Sequence, residues 1–207
     1  MSETCLLFYQ NLDDSFDKWS NLSTVELELS ALETASSELV DKRIDESISY
    51  FALSLIEPPL ASLAIFGLFS NLDAATLLGP AQAGEDDAWI EKCKELRDLI
   101  KTVRQLKANK AKLVQVLKIP FAEELMAILQ QAAKRNTKVF LIGDLAIALG
   151  FLAIRSNSKA KDFLIPATKP KFSSIEKVIS STDFSKIVLP ENASDAKSLA
   201  ITLLSHV

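Results

Sequence analysis

The sequence predicts an all-α fold, an irregular multi-helix bundle with long amphipathic helices. Three observations carry that expectation. Only five Gly and seven Pro punctuate 207 residues, and neither occurs before Pro58. Such a stretch is hard to reconcile with short strands and tight hairpins. Apolar residues recur at spacings of three and four along much of the chain, the period of one helix face. Finally, 85–118 opens on acidic residues and closes on basic ones, as a helix macrodipole favours.

From the N-terminus, Cys5, Phe8, Leu12, Phe16 and Trp19 form one helical stripe, with Ser2 as its N-cap. A second series runs Val25, Leu29, Leu32, Leu39, Ile44, Ile48, Phe51 and Leu55, with a bend expected where Ser36 and Arg43 interrupt it. Pro58 and Pro59 close that run and can open the next helix, since proline at a first helical position loses no intrahelical bond. That helix covers Leu60 to Leu78, interrupted by Gly67, and stops at Gly79-Pro80, with 80–84 as a linker. In the helix Glu85–Lys118, residues Trp89, Cys93, Leu96, Ile100 and Val103 are spaced 4, 3, 4, 3. This is a coiled-coil-like seam of about two heptads.

Pro120 starts a further helix with Glu123 and Glu124 in its first turn, Leu125, Ile128, Leu129 and Ala132 inside, and Lys134, Arg135 and Asn136 at its end. Val139–Ile154 is the most apolar segment and predicts one central buried helix. It falls short of the roughly 20 apolar residues of a bilayer span, and Asp144 lies within it. That carboxylate is read as either buried against a Lys or Arg or facing water. Gly143, Ala146, Gly150 and Ala153 make a smooth face on this helix for close approach of a neighbour. Phe163–Ile165 and Ile187–Leu189 are candidate short strands near the C-terminus. Ser173 and Glu176 have capping-box spacing, and Asn192 or Ser194 can cap a last helix. The division expected is a main helical bundle over 1–154 and a smaller portion over 155–207.

The formal net charge of −4 conceals an asymmetry. Residues 1–98 hold 6 Lys and Arg against 19 Asp and Glu, net −13, and residues 99–207 hold 17 against 8, net +9. Apolar residues at 48% and charged residues at 24% exclude collagen-like, disulfide-scaffold and disordered classes. Cys5 and Cys93 lie among apolar residues, and the single histidine, His206, is penultimate, so neither thiol chemistry nor a metal site is indicated. No cofactor is expected, because no glycine-rich phosphate loop and no Gly-x-Ser-x-Gly elbow occurs.

On these grounds the chain is expected to be a non-enzymatic adaptor or assembly subunit with protein partners or a second copy of itself. Its candidate partner-binding residues are Trp89, Leu96, Ile100 and Val103 on the seam and Lys101, Arg104, Lys107, Lys110 and Lys112 on the basic stretch. The alternatives are a membrane-surface or membrane-inserting protein using 139–154 with the basic helix, and a nucleic-acid binder through Lys101–Lys118. The start of the chain lacks a basic segment followed by a long apolar one, so an intracellular, cytoplasmic or membrane-peripheral location is expected.

Overall fold

The computed structural model describes residues 4–10, 36–45, 48–55, 59–81, 86–119 and 121–181. It is not all-α. Four strands form one sheet in the order β1 (Thr4–Gln10), β2 (Ile48–Leu55), β3 (Lys138–Ile142) and β4 (Leu164–Pro166). β1 runs antiparallel to β2, whereas β2, β3 and β4 are mutually parallel. Around them are α1 (Ser36–Asp45), α2 (Pro59–Ser70), α3 (Ala74–Leu78), α4 (Asp86–Val103), α5 (Lys110–Val116), α6 (Ala122–Lys134), α7 (Asp144–Ser156) and α8 (Ser173–Ser181).

The strands correct the helical expectation at three places, in each of which the apolar pattern leaves the period undecided. A spacing of four residues satisfies both the helical period and the strand period of two. Phe51 and Leu55 belong to the helical series read from sequence, but Leu53 between them is buried as well, so β2 alternates rather than winds. The predicted stripe from Cys5 begins in β1, where five consecutive apolar residues leave the period undefined. Val139–Ile154 is two elements rather than one helix: β3, a turn at Gly143, then α7. Gly143 has φ +90°, a conformation that L side chains rarely adopt, so glycine is the residue this strand-to-helix turn requires.

Register places Phe51, Val139 and Leu164 side by side, with Leu53, Leu141 and Pro166 two residues on. Phe51, Leu53, Val139, Leu141 and Leu164 face the main core with the helices. Phe140 and Ile165 point to the opposite face and are buried too, so β3 is covered on both sides, as parallel strands require. α7 lies over β2 and β3 and packs on α2 and α6. Within that layer Phe66 and Phe151 sit 5.5 Å apart at 49°, and Phe69 meets Phe151 edge-on at 5.7 Å.

Elsewhere among the described residues the helix signals lead to helices, though two of the predicted ones are divided. α2 starts at Pro59, and Asn71 at φ +58° breaks the predicted 60–78 helix before α3. Asp73 caps α3 by accepting the Thr76 N–H at 2.8 Å, and Gly79 ends it. The predicted helix 85–118 is also divided. After α4 come a 3-10 turn at Arg104–Leu106 and an Asn109 cap that accepts the Lys112 N–H at 3.0 Å and opens α5. The corner falls at Lys107 and Lys110, where the apolar stripe fails. It lets Leu113, Val114 and Leu117 turn inward on a new axis. α6 and the short strand β4 lie close to where the sequence puts them. Ile187–Leu189 and the last predicted helix are outside the described residues.

Gly150 marks the closest approach of α7 to β3, because a Cβ there would stand 2.3 Å from Leu141 Cδ1. Alanine improves helix propensity by about 1 kcal/mol, but overpacking a rigid core costs about 1–3 kcal/mol. We expect Gly150→Ala to destabilise by about 1 kcal/mol in denaturant unfolding. Combined with Leu141→Ala, it should cost less than the two singles added, since the cavity admits the methyl. Strict additivity would show that the two positions do not press on each other.

Candidate functional site

In open parallel sheets ligands bind outside the carboxyl ends of the strands, where helix N-termini and connecting loops converge. Here that edge is built from the β3–α7 turn and the 167–172 loop that follows β4. Two hydrogen bonds fasten the turn to the loop. The Gly143 N–H donates to Thr168 Oγ1 at 2.8 Å, and the Lys171 N–H donates to Asp144 Oδ1 at 3.1 Å. Ala167 N–H also donates to the Leu141 carbonyl at 2.8 Å, which carries the β4 pairing into the loop.

Asp144 therefore heads α7, half-buried, beside a loop bearing Lys169 and Lys171. Burial pushes its carboxyl above the usual carboxylate range, opposed by the Lys171 N–H and the positive charge of that lysine. A carboxylate held in this way can accept a proton or face a developing positive charge without any histidine. Both sequence readings of Asp144 hold in part. It is half-buried and receives a backbone N–H of Lys171, while the lysine side chain lies 6.0 Å from the centre of the Phe172 ring.

A concavity of about 300 Å³ lies between the end of α2, α3 and α8. Ser70, Thr76, Ser173 and Lys177 give it polar walls, and Leu72 and Val178 apolar ones. Ser174 is buried at its side and donates from Oγ to the Leu77 carbonyl at 2.6 Å, which ties α8 to α3. Lys177 is the one cation among its lining residues, so the carboxyl edge is chemically the richer site. Among the described residues, no cluster of three His, Cys, Asp or Glu is arranged to hold a metal ion.

The residues chosen from sequence fall elsewhere. Leu96, Ile100 and Val103 are inside the chain's own core, where α4 packs on α2 and α3, and Trp89 is half-buried with Nε1 donating to the Gly79 carbonyl at 2.9 Å. Cys93 is buried, and burial pushes its thiol up, away from the reactive thiolate. Lys101, Arg104, Lys107 and Lys112 are exposed and Lys110 is half-buried, distributed over α4, the corner and α5 rather than along one helix face. Ala146, Gly150 and Ala153 are buried on α7, while Gly143 precedes it. Thr168 and Lys171 were not selected from sequence. The signal that could have found them is the run Val139-Phe140-Leu141-Ile142 before Gly143-Asp144, a strand, a glycine turn and an acidic helix start.

No family model matches the chain. The nicotinate-nucleotide–dimethylbenzimidazole phosphoribosyltransferases of Corynebacterium glutamicum and Corynebacterium efficiens are 28% and 26% identical to it over 102 residues, 49% of this chain. The crystal structure of CobT from Thermus thermophilus superposes with a TM-score of 0.63 at 12% identity, over 86% of this chain and 54% of that one. The chain shares the CobT fold. It spans only 28% of the length of the two curated relatives.

These likenesses overturn the non-enzymatic adaptor reading. That reading rested on scarce histidine and glycine, a composition argument that leaves carboxylate and lysine chemistry open. The segment 139–154, expected as one central helix, is a strand and a helix, and no helix among the described residues is long and apolar enough to cross a membrane.

Asp144 leaves a pH signature. With its folded pKa raised, the native state binds more protons than the unfolded chain, so stability falls as pH rises from the ordinary carboxylate range through the raised value. Asp144→Asn keeps an oxygen acceptor for the Lys171 N–H and should abolish that component in denaturant melts across about pH 3–8. Thr168→Val, which leaves the Gly143 N–H unpaired, should cost about 1–2 kcal/mol at every pH.

Proposed function

We propose that this chain is an enzyme of phosphoribosyl transfer, acting at its carboxyl edge on a pyridine mononucleotide and a benzimidazole-like acceptor. The observation that carries this reading is the agreement of two likenesses. The sequence match covers 102 residues of enzymes named for that reaction, and the CobT fold match covers 86% of the chain. The edge chemistry supports it. When phosphoribose passes from nicotinate to a benzimidazole, the C1′–N bond to the pyridine breaks and a new C1′–N bond forms. The pyridine leaves without needing a proton, and the acceptor must surrender its N–H proton. Asp144 is the group that takes it, since burial has lifted its basicity while leaving the carboxylate within reach of the loop. Lys169 and Lys171 on that loop supply charge for the substrate phosphate.

The test is to incubate the full chain with nicotinate mononucleotide and dimethylbenzimidazole and to follow nicotinate release by chromatography. Release is expected to rise as pH passes upward through the Asp144 pKa, because the base must be ionised. Asp144→Asn should slow it by about 100-fold or more, with the fold retained by circular dichroism. Absence of both nicotinate release and calorimetric binding of nicotinate mononucleotide would refute the proposal.

A further inference from the structure

The far end of α7 carries a second cluster of charge that the carboxyl edge does not use. Arg155 lies one residue before the end of the helix, about 17 Å from Asp144 along the axis at about 1.5 Å per residue. Its guanidinium is 5.5 Å from the centre of the Phe69 ring and 5.3 Å from that of Phe151. Lys107 Nζ is 5.1 Å from the same Phe69 centre, so the two cations are no more than about 11 Å apart. Lys110 Nζ donates to Ser156 Oγ at 2.8 Å, adjacent in sequence to Arg155. Three cations from the α4–α5 corner and the α7 terminus thus gather around the end of α2.

None of the three forms an ion pair with a described carboxylate; the ion pairs between described residues involve Arg135 and Lys94 instead. The negative end of the α7 dipole offsets about half a unit charge. Ring faces add an attraction but no counter-charge. Among the described residues, more than two positive charges therefore have no counter-charge. Burial and the nearby Arg155 both push the Lys110 ammonium below its ordinary pKa, the direction expected where like charges are held together. The aromatic rings and the Ser156 hydroxyl hold the cations in position, so their repulsion is built in and little ordering remains to be done on binding.

We propose that Lys107, Lys110 and Arg155 form a second anion site, remote from the carboxyl edge, for a phosphate-bearing small molecule such as a diphosphate. The proposal does not depend on the reaction proposed above. Arg155 offers a planar pair of donors to two phosphate oxygens, and the lysines place point charges beside it.

Inorganic pyrophosphate, titrated into the full chain at low salt and compared with sodium chloride of equal ionic strength, is the probe. Saturable calorimetric binding is expected, weakened at least tenfold in Lys110→Gln and in Arg155→Gln. Lys101→Gln and Lys112→Gln should bind as the wild type does. Acetylation footprinting of the wild type needs no variant to fold, and pyrophosphate should protect Lys107 and Lys110 at least threefold relative to Lys101. The proposal is overturned by absence of saturable binding, by loss of binding in Lys171→Gln but not in Lys110→Gln, or by equal acetylation of all three lysines.

Discussion

The parallel pairing of β3 with a strand on either side is the constraint on which the rest of the structure depends. Parallel neighbours cannot be joined by a tight turn, so each pairing demands a crossover long enough to return to the same end of the sheet. Between β2 and β3 that crossover carries α2 to α6, and between β3 and β4 it carries α7 and a 3-10 segment, Ser158–Asp162. The large helical content is therefore a consequence of the sheet. Because β3 must be covered on both faces, Val139 through Ile142 are all buried, and that continuous apolar run is what makes the strand resemble part of a buried helix in sequence.

The same constraint explains which parts of the fold were legible. α6 could be read because proline, two glutamates, an apolar stripe and a basic end coincide at its boundaries, and all are local signals. β4 could be read because a short apolar run ends in proline. β2 could not, since Phe51 and Leu55 fit two periods and only the burial of Leu53, a tertiary fact, decides between them. The break between α4 and α5 was foreshadowed where Lys107 and Lys110 interrupt the stripe, yet the direction of the new axis depends on what Leu113 and Val114 find to pack against. The candidate site was least legible. Asp144 was visible as an anomaly in an apolar segment, but its juxtaposition with Thr168 and Lys171 exists only because β3 and β4 are neighbours.

The opposed charges of the two halves meet at one described point. Arg135, in the basic half, spans Asp41 and Asp45 of α1 with both guanidinium nitrogens at 2.7 Å, and Gln131 donates to both Asp41 oxygens at 2.9 Å. The Gln131 hydrogen bonds first, then the Arg135 cation, hold the Asp41 carboxyl below its ordinary range. These groups are in part open to water, so solvent screening keeps their contribution to stability small. Their effect is on orientation: a fork bridging two carboxylates one helical turn apart fixes the rotation of α1 on α6 more closely than apolar packing alone.

α7 links these arguments, because its two ends are set by different physics. At its N-terminus the helix dipole favours an ionised Asp144, but loss of hydration outweighs the Lys171 N–H and charge, and the carboxyl stays more basic than usual. At its C-terminus the dipole favours Arg155, and the Phe69 and Phe151 rings provide a second attraction that draws Lys107 in as well. The middle of the helix has no such latitude: Gly150 lies against Leu141, and the residues from Leu145 to Ala153 are all buried. A helix clamped along its length cannot slide or rotate to relieve charge at either end. Polar groups at its termini must therefore find partners in the adjoining loops, in one another or in a ligand. The carboxyl edge takes the first course at Asp144, and the cations at the opposite end lack a described carboxylate with which to follow it.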